Sequence, residues 1–216
     1  MNYKIIDFHT HPFFDDDHNI CQHTAYCNMS AENSMRDLKK LGVVKICGSV
    51  IKRGMAKTNK TFDDRRKIND YALKLKEFYG DFYYPGFHVH PDFVKESILE
   101  IERMNKMGIR LIGELVPYLD GWRDFNSKGF FEILEAAEYY GMIVNVHSHE
   151  HPEGLDQMDE MVSRFKNLKI VAAHPGENEF FLRKIKNFCQ FFCRIENNAY
   201  ICTPFRRKLE PRWRNR

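Results

Sequence analysis

The chain has 216 residues, 43% hydrophobic and 29% charged, enough for one substantial core and too few for two comfortable domains. Its formal net charge of +3 is uneven: residues 203–216 hold six of the 33 basic side chains and only Glu210 of the 30 acidic ones, leaving 27 basic against 29 acidic, or −2, in the rest. That balance excludes a nucleic-acid-type basic surface for the body of the protein, and no apolar run approaches the ~18 residues of a membrane span.

The predicted elements alternate. A first strand at 3–9, Tyr3-Lys4-Ile5-Ile6-Asp7-Phe8-His9, leads into a polar loop at 13–30 that contains Asp15-Asp16-Asp17, His18 and His23. Three consecutive carboxylates read as a solvated loop, although this one leaves the end of the first strand and could cover a site there. A helix is expected at 35–41, a strand at 43–50 and a helix at 65–79, where Ile68, Tyr71, Ala72 and Leu75 keep helical spacing. The third strand, 82–90, ends in Phe87-His88-Val89-His90-Pro91. Helix 93–107 stops at Gly108, strand 109–115 ends in Gly113-Glu114-Leu115, and helix 130–140 is capped by Gly141. Strand 142–147, helix 155–165, strand 168–173, helix 178–188 and a short seventh strand at 199–202 complete the series.

Strands whose C-terminal ends carry the polar residues, alternating with helices, predict an α/β fold of the TIM-type (β/α) barrel kind. About seven strands are legible and no eighth, so the barrel reads as incomplete over 1–202. The basic segment 203–216 reads as a disordered tail or as a truncated or frame-shifted end. Because the first strand starts at the N-terminus and ends in candidate ligands, no cleaved signal peptide is expected, and the expected location is cytoplasmic.

The six cysteines lack the spacing of a disulfide framework and read as reduced thiols. Cys21, His23 and Cys27 could form a zinc knuckle, but no second pair follows at zinc-finger spacing.

The chemistry gathers at strand ends. His9 and His11, two residues apart on a strand, point to one face, and two neutral imidazoles converging on a point suit a divalent transition metal. Glu114, His147 and His174 fall at the corresponding ends of strands four, five and six, which a barrel gathers around one centre. His88 and His90 could contact substrate, support the site from behind, or simply lie on the surface. Tyr118 and Trp122 could line the mouth or pack on neighbouring helices. His149 and His151 read as exposed loop residues.

Asp7-Phe8-His9-Thr10-His11-Pro12, Gly113-Glu114, Asn145-Val146-His147 and Ala173-His174-Pro175, in this order, resemble the amidohydrolase superfamily of metal-dependent hydrolases. Within it the chain looks most like amidohydrolase-related proteins, with Gly113-Glu114 and Gly86-Phe87-His88-Val89-His90-Pro91 leaning toward the TatD-like nuclease branch. The resemblance implies that His9 and His11 bind one metal and that Glu114 bridges. His147 and His174 then bind a second metal or orient substrate, and Glu114 and His174 take part in catalysis. His88, His90 and Tyr118 are the candidate substrate contacts.

The cofactor expected is one or two divalent ions, zinc first, with manganese or iron possible. The family's aspartate after strand eight has no counterpart here; Glu177 is a possible substitute. The leading expectation is metal-activated water attacking an amide, ester or phosphodiester bond of a small-molecule substrate. The alternatives are a TatD-like deoxyribonuclease, a non-oxidative decarboxylase, and an inactive fragment. Nucleic acid and membrane are not expected partners, and a second copy of the chain could cover an open barrel seam.

Overall fold

A computed structural model of the chain describes residues 4–18, 30–52, 54–58, 60–148 and 152–173. Six strands, β1 (Ile5–Asp7), β2 (Val43–Ser49), β3 (Tyr83–Phe87), β4 (Leu111–Leu115), β5 (Ile143–His147) and β6 (Lys169–Ala173), form one parallel sheet in sequence order. Every neighbouring pair is parallel. The helices between them are α1 (Ala31–Lys40), the short α2 (Met55–Thr58), α3 (Phe62–Tyr79), α4 (Val94–Lys106), the short α5 (Pro117–Asp120), α6 (Lys128–Tyr139) and α7 (Pro152–Arg164). Because each connection returns to the same edge, all six strand C-termini lie together, at the functional end of a half-barrel.

The helices begin where their side chains can cap them. Ser30 Oγ accepts from the Asn33 N–H at the start of α1. Thr61 and Asp64 form a reciprocal capping box at the start of α3. Two apolar clusters then hold helices to sheet. Phe87, Ile112, Val144, Val146 and Ile170 pack with Ile101, Phe130, Leu134 and Met158 in one; Ile46, Tyr83 and Val50 pack with Ile68, Ala72 and Leu75 in the other.

Three differences from the sequence reading stand out. β1 is hydrogen-bonded only over Ile5–Asp7, so His9 and His11 follow the strand rather than end it; the Thr10 N–H donates to the Cys47 carbonyl at 3.1 Å and continues the alignment without a ladder. β3 ends at Phe87, before His88. α2 and α5 were not foreseen, since four residues are too few for a helical period to show. Six strands are described; the expected strand at 199–202, helix 178–188 and segment 203–216 lie outside the described residues, as do Cys21, His23, Cys27, His149, His151, His174 and Glu177. Among the described residues no helix is long and apolar enough to cross a membrane. Cys47 is a buried free thiol, its pKa pushed up to about 11 by burial.

Candidate metal centre

His9 and His11 reach the end of the sheet because the backbone between them lies directly on β2. Thr10 binds the Cys47 carbonyl through both its N–H and its Oγ, each at 3.1 Å. A side chain at Gly48 would collide with the Thr10 backbone, so only glycine allows that approach. Glu114 arrives from β4 behind Gly113, whose φ of +87° and crowding against the Asn145 carbonyl and the Leu115 N–H likewise exclude a side chain. His147 is the last residue of β5.

These four side chains meet. The Nε2 atoms of His9 and His11 are 3.3 Å apart, and Glu114 Oε2 lies 2.9 Å from the first and 3.0 Å from the second. His147 Nδ1 lies 2.7 Å from the other carboxylate oxygen, Oε1. Glu114 is buried, with 1% of its side chain exposed, whereas the three imidazoles keep 15–24% of theirs. Burial alone pushes the Glu114 carboxyl up, but hydrogen bonds from His11, His147 and His9 outweigh it and hold the group well below the usual carboxylate range.

The donor set fits a divalent ion. Ligand atoms about 2.1 Å from a first-row metal stand roughly 3.4 Å apart at a tetrahedral angle and about 3.0 Å at an octahedral one; the triangle formed by His9, His11 and Glu114 has sides of 2.9, 3.0 and 3.3 Å. The tautomer agrees. His11 Nδ1 donates to the Ser49 carbonyl at 2.9 Å, so a neutral ring turns the lone pair of Nε2 toward the carboxylate oxygen. Where no proton lies between Nε2 and the carboxylate, two lone pairs face each other at 3.0 Å, and a cation placed there turns their repulsion into coordination. His9, His11 and Glu114 form the one group of this kind among the described residues.

The other candidates divide. Tyr118, on α5, is 62% exposed and sets its ring edge-on to His147, with centroids 5.4 Å apart. Trp122 instead packs into the core against Phe125 and Phe130. His88 and His90 are both 3% exposed. His88 Nε2 donates to the Val50 carbonyl at 2.7 Å, and its backbone N–H donates to Asn69 Oδ1. His90 accepts the Asp92 N–H at Nδ1 and donates from Nε2 to the Asp120 carbonyl at 3.2 Å. Burial lowers both pKa values. Both rings are thus turned to backbone carbonyls, which buried imidazoles satisfy and which would otherwise be orphaned.

The sequence reading missed the frame around the site. Arg65 and Asp120, 2% and 4% exposed, pair through Nε–Oδ2 and Nη2–Oδ1 contacts of 3.0 Å each, fastening α5 to α3. Nothing in the sequence marks two residues 55 positions apart as partners. The loop after β1 is also docked on α3: the Tyr71 hydroxyl donates to Asp15 Oδ2 at 2.6 Å and that of Tyr79 to the Phe13 carbonyl at 2.7 Å. Asp15 in turn pairs with His18.

A parallel β/α half-barrel that brings imidazoles and a carboxylate together at its strand C-termini places its polar cluster where (β/α) barrels gather their sites. The family model described as Amidohydrolase matches residues 6–196, and the chain belongs to that family. No functionally curated protein matches the chain.

Among solved structures, a probable 2-pyrone-4,6-dicarboxylic acid hydrolase from Acinetobacter baumannii is 18% identical, with a TM-score of 0.53 over 80% of this chain and 58% of that one. The 5-carboxyvanillate decarboxylase of Novosphingobium aromaticivorans, solved with manganese, is 16% identical, with a TM-score of 0.55 over 73% and 53%. A 2,6-dihydroxybenzoate decarboxylase from Rhizobium is 9% identical, with a TM-score of 0.60 over 94% and 75%. The chain thus spans somewhat over half the length of the first two.

Proposed function

We propose that this chain is a metal-dependent hydrolase that acts on an amide, ester or phosphodiester bond of a small molecule. The observation that carries the reading is the Glu114 carboxylate, which turns one oxygen to His9 and His11 and the other to His147. His9, His11 and Glu114 would hold the ion, zinc by donor type and manganese or iron next; His147 and, from sequence, His174 would complete a second ligand position or orient substrate. A bound divalent ion lowers the pKa of a water to ~7 and polarises the scissile oxygen. Glu114 is kept ionised by its histidines, so it offers both carboxylate oxygens as ligands rather than taking up a proton, and Tyr118 stands beside His147 at the exposed side of the cluster. The reading places the protein in the cytoplasm.

The test is elemental analysis of protein purified without chelator, followed by assay of the metal-loaded chain on ester, amide and phosphodiester substrates. One to two ions per chain and turnover abolished by chelator are expected; protein that neither retains nor takes up zinc or manganese would sink the reading. A second reading, decarboxylation of a carboxylated ring, draws support from the substrates named for the Novosphingobium and Rhizobium proteins. Carbon dioxide release from such acids, without hydrolysis of the other substrates, would select it.

A further inference from the structure

Asn145 stands two residues before His147 on β5, so the two side chains share a face of the sheet. That face is the one on which His147 meets Glu114. Val144 and Val146 take the other face and join the helix-covered core. Asn145 is fully buried, on a strand paired on both sides by β4 and β6. Neither its Oδ1 nor its Nδ2 has a hydrogen-bond partner among the described residues.

An unpaired buried donor or acceptor is costly, whereas an apolar side chain of the same shape at such a position costs little. Leucine has nearly the shape of asparagine and would fill this place without the penalty. The carboxamide is therefore useful only if something occupies its hydrogen-bonding capacity. That species has to satisfy a donor and an acceptor at once. A bare cation offers nothing to Nδ2, and a carboxylate offers no proton to Oδ1; water does both.

We propose that Asn145 is a positioning residue of the metal centre: its carboxamide binds a buried water that links it to the ligand cluster of Glu114 and His147 and fixes their orientation toward the ion. The inference rests on the metal-centre reading above. Groups that orient metal ligands from behind typically change metal affinity 10–100-fold when removed, and this one does so without touching the ion.

The experiment titrates Co2+ into wild-type, Asn145→Leu, Asn145→Ala and Asn145→Ser proteins, following the visible absorption of the bound ion, with thermal unfolding of each metal-free protein alongside. In Asn145→Leu, Co2+ binding is expected to weaken at least about 10-fold while the metal-free unfolding midpoint stays level or rises, a combination that a merely structural asparagine does not produce. Asn145→Ser, which keeps a hydroxyl and leaves room for water, is expected to bind within about threefold of wild type and to restore the wild-type spectrum.

Equal Co2+ affinity in wild type and Asn145→Leu overturns the proposal, and so does equal loss in the leucine and serine variants. If Asn145→Leu does not fold, alanine against serine decides: weaker binding in alanine alone supports the role, and equal binding removes it. Wild-type protein that takes up no Co2+ would instead overturn the metal-centre reading, and this inference with it.

Discussion

His11 and Ser49 are joined by a 2.9 Å hydrogen bond from the ring Nδ1 to the backbone carbonyl, which decides that Nε2 is the nitrogen His11 turns to Glu114. A backbone acceptor on β2 thus sets the tautomer of a ligand delivered by β1. His11→Ala is expected to weaken zinc binding by on the order of 100-fold and leave the fold intact, since the side chain is only partly buried. Competition with a chromophoric chelator measures this. Affinity within a factor of three of wild type would show that His11 is not a ligand.

Gly113 gives a separate route to the same centre. A side chain there collides with the Asn145 carbonyl and the Leu115 N–H at a positive φ, so Gly113→Ala must shift the backbone that carries Glu114. Metal binding is expected to drop by about 10-fold or more, together with a lower unfolding midpoint. A variant that binds metal normally would mean that β4 can relax around the added methyl and still deliver the carboxylate.

His88 and His90 make the stability of the metal-free protein depend on pH in a defined direction. Burial lowers both folded-state pKa values below 6.5, so between 6.5 and the folded values the unfolded chain binds protons that the folded chain does not. Their contribution is complete above pH 6.5 and is lost as pH falls below it. The unfolding midpoint is expected to decline from pH 7.5 to 5.5. Nitrogen-15 spectra of labelled histidine, assigned with His88→Gln and His90→Gln, should show these two rings protonated at Nε2 when neutral and titrating below 6.5; either assigned ring titrating at 6.5 or above would contradict the burial argument.

The Arg65–Asp120 pair is buried on both sides, and removing the Asp120 carboxylate leaves the Arg65 guanidinium charged in the interior without that counter-charge, its hydrogen bonds to the Thr61 and residue-120 carbonyls notwithstanding. Asp120→Ala is expected to lower unfolding free energy by about 3–5 kcal/mol, read by urea denaturation. The double variant Arg65→Met with Asp120→Leu should recover much of that loss. A single variant within 1 kcal/mol of wild type would mean that water enters to solvate Arg65.

Much of this protein is legible from local pattern. The alternation of apolar runs and helical spacing determined the order of strands and helices, because burial on a sheet and on a helix has different periods that survive in one dimension. His9, His11, Glu114 and His147 could be picked out because parallel strands with helical returns bring every strand C-terminus to one edge. Position at a strand end therefore stands in for position in space.

Only the tertiary structure decided how those residues are used. The division of the Glu114 oxygens between His9 with His11 and His147, the His11 tautomer, the burial of His88 and His90 against backbone carbonyls, and the Arg65–Asp120 fastening all depend on contacts between residues far apart in the chain. The same holds for Asn145, which in sequence is the first residue of the Asn145-Val146-His147 motif and carries no sign there of its complete burial without a hydrogen-bond partner. Its complete burial follows from the pairing of β5 with β4 on one side and β6 on the other. Periodicity records which way a side chain faces, but what it meets there is a property of the neighbouring strands.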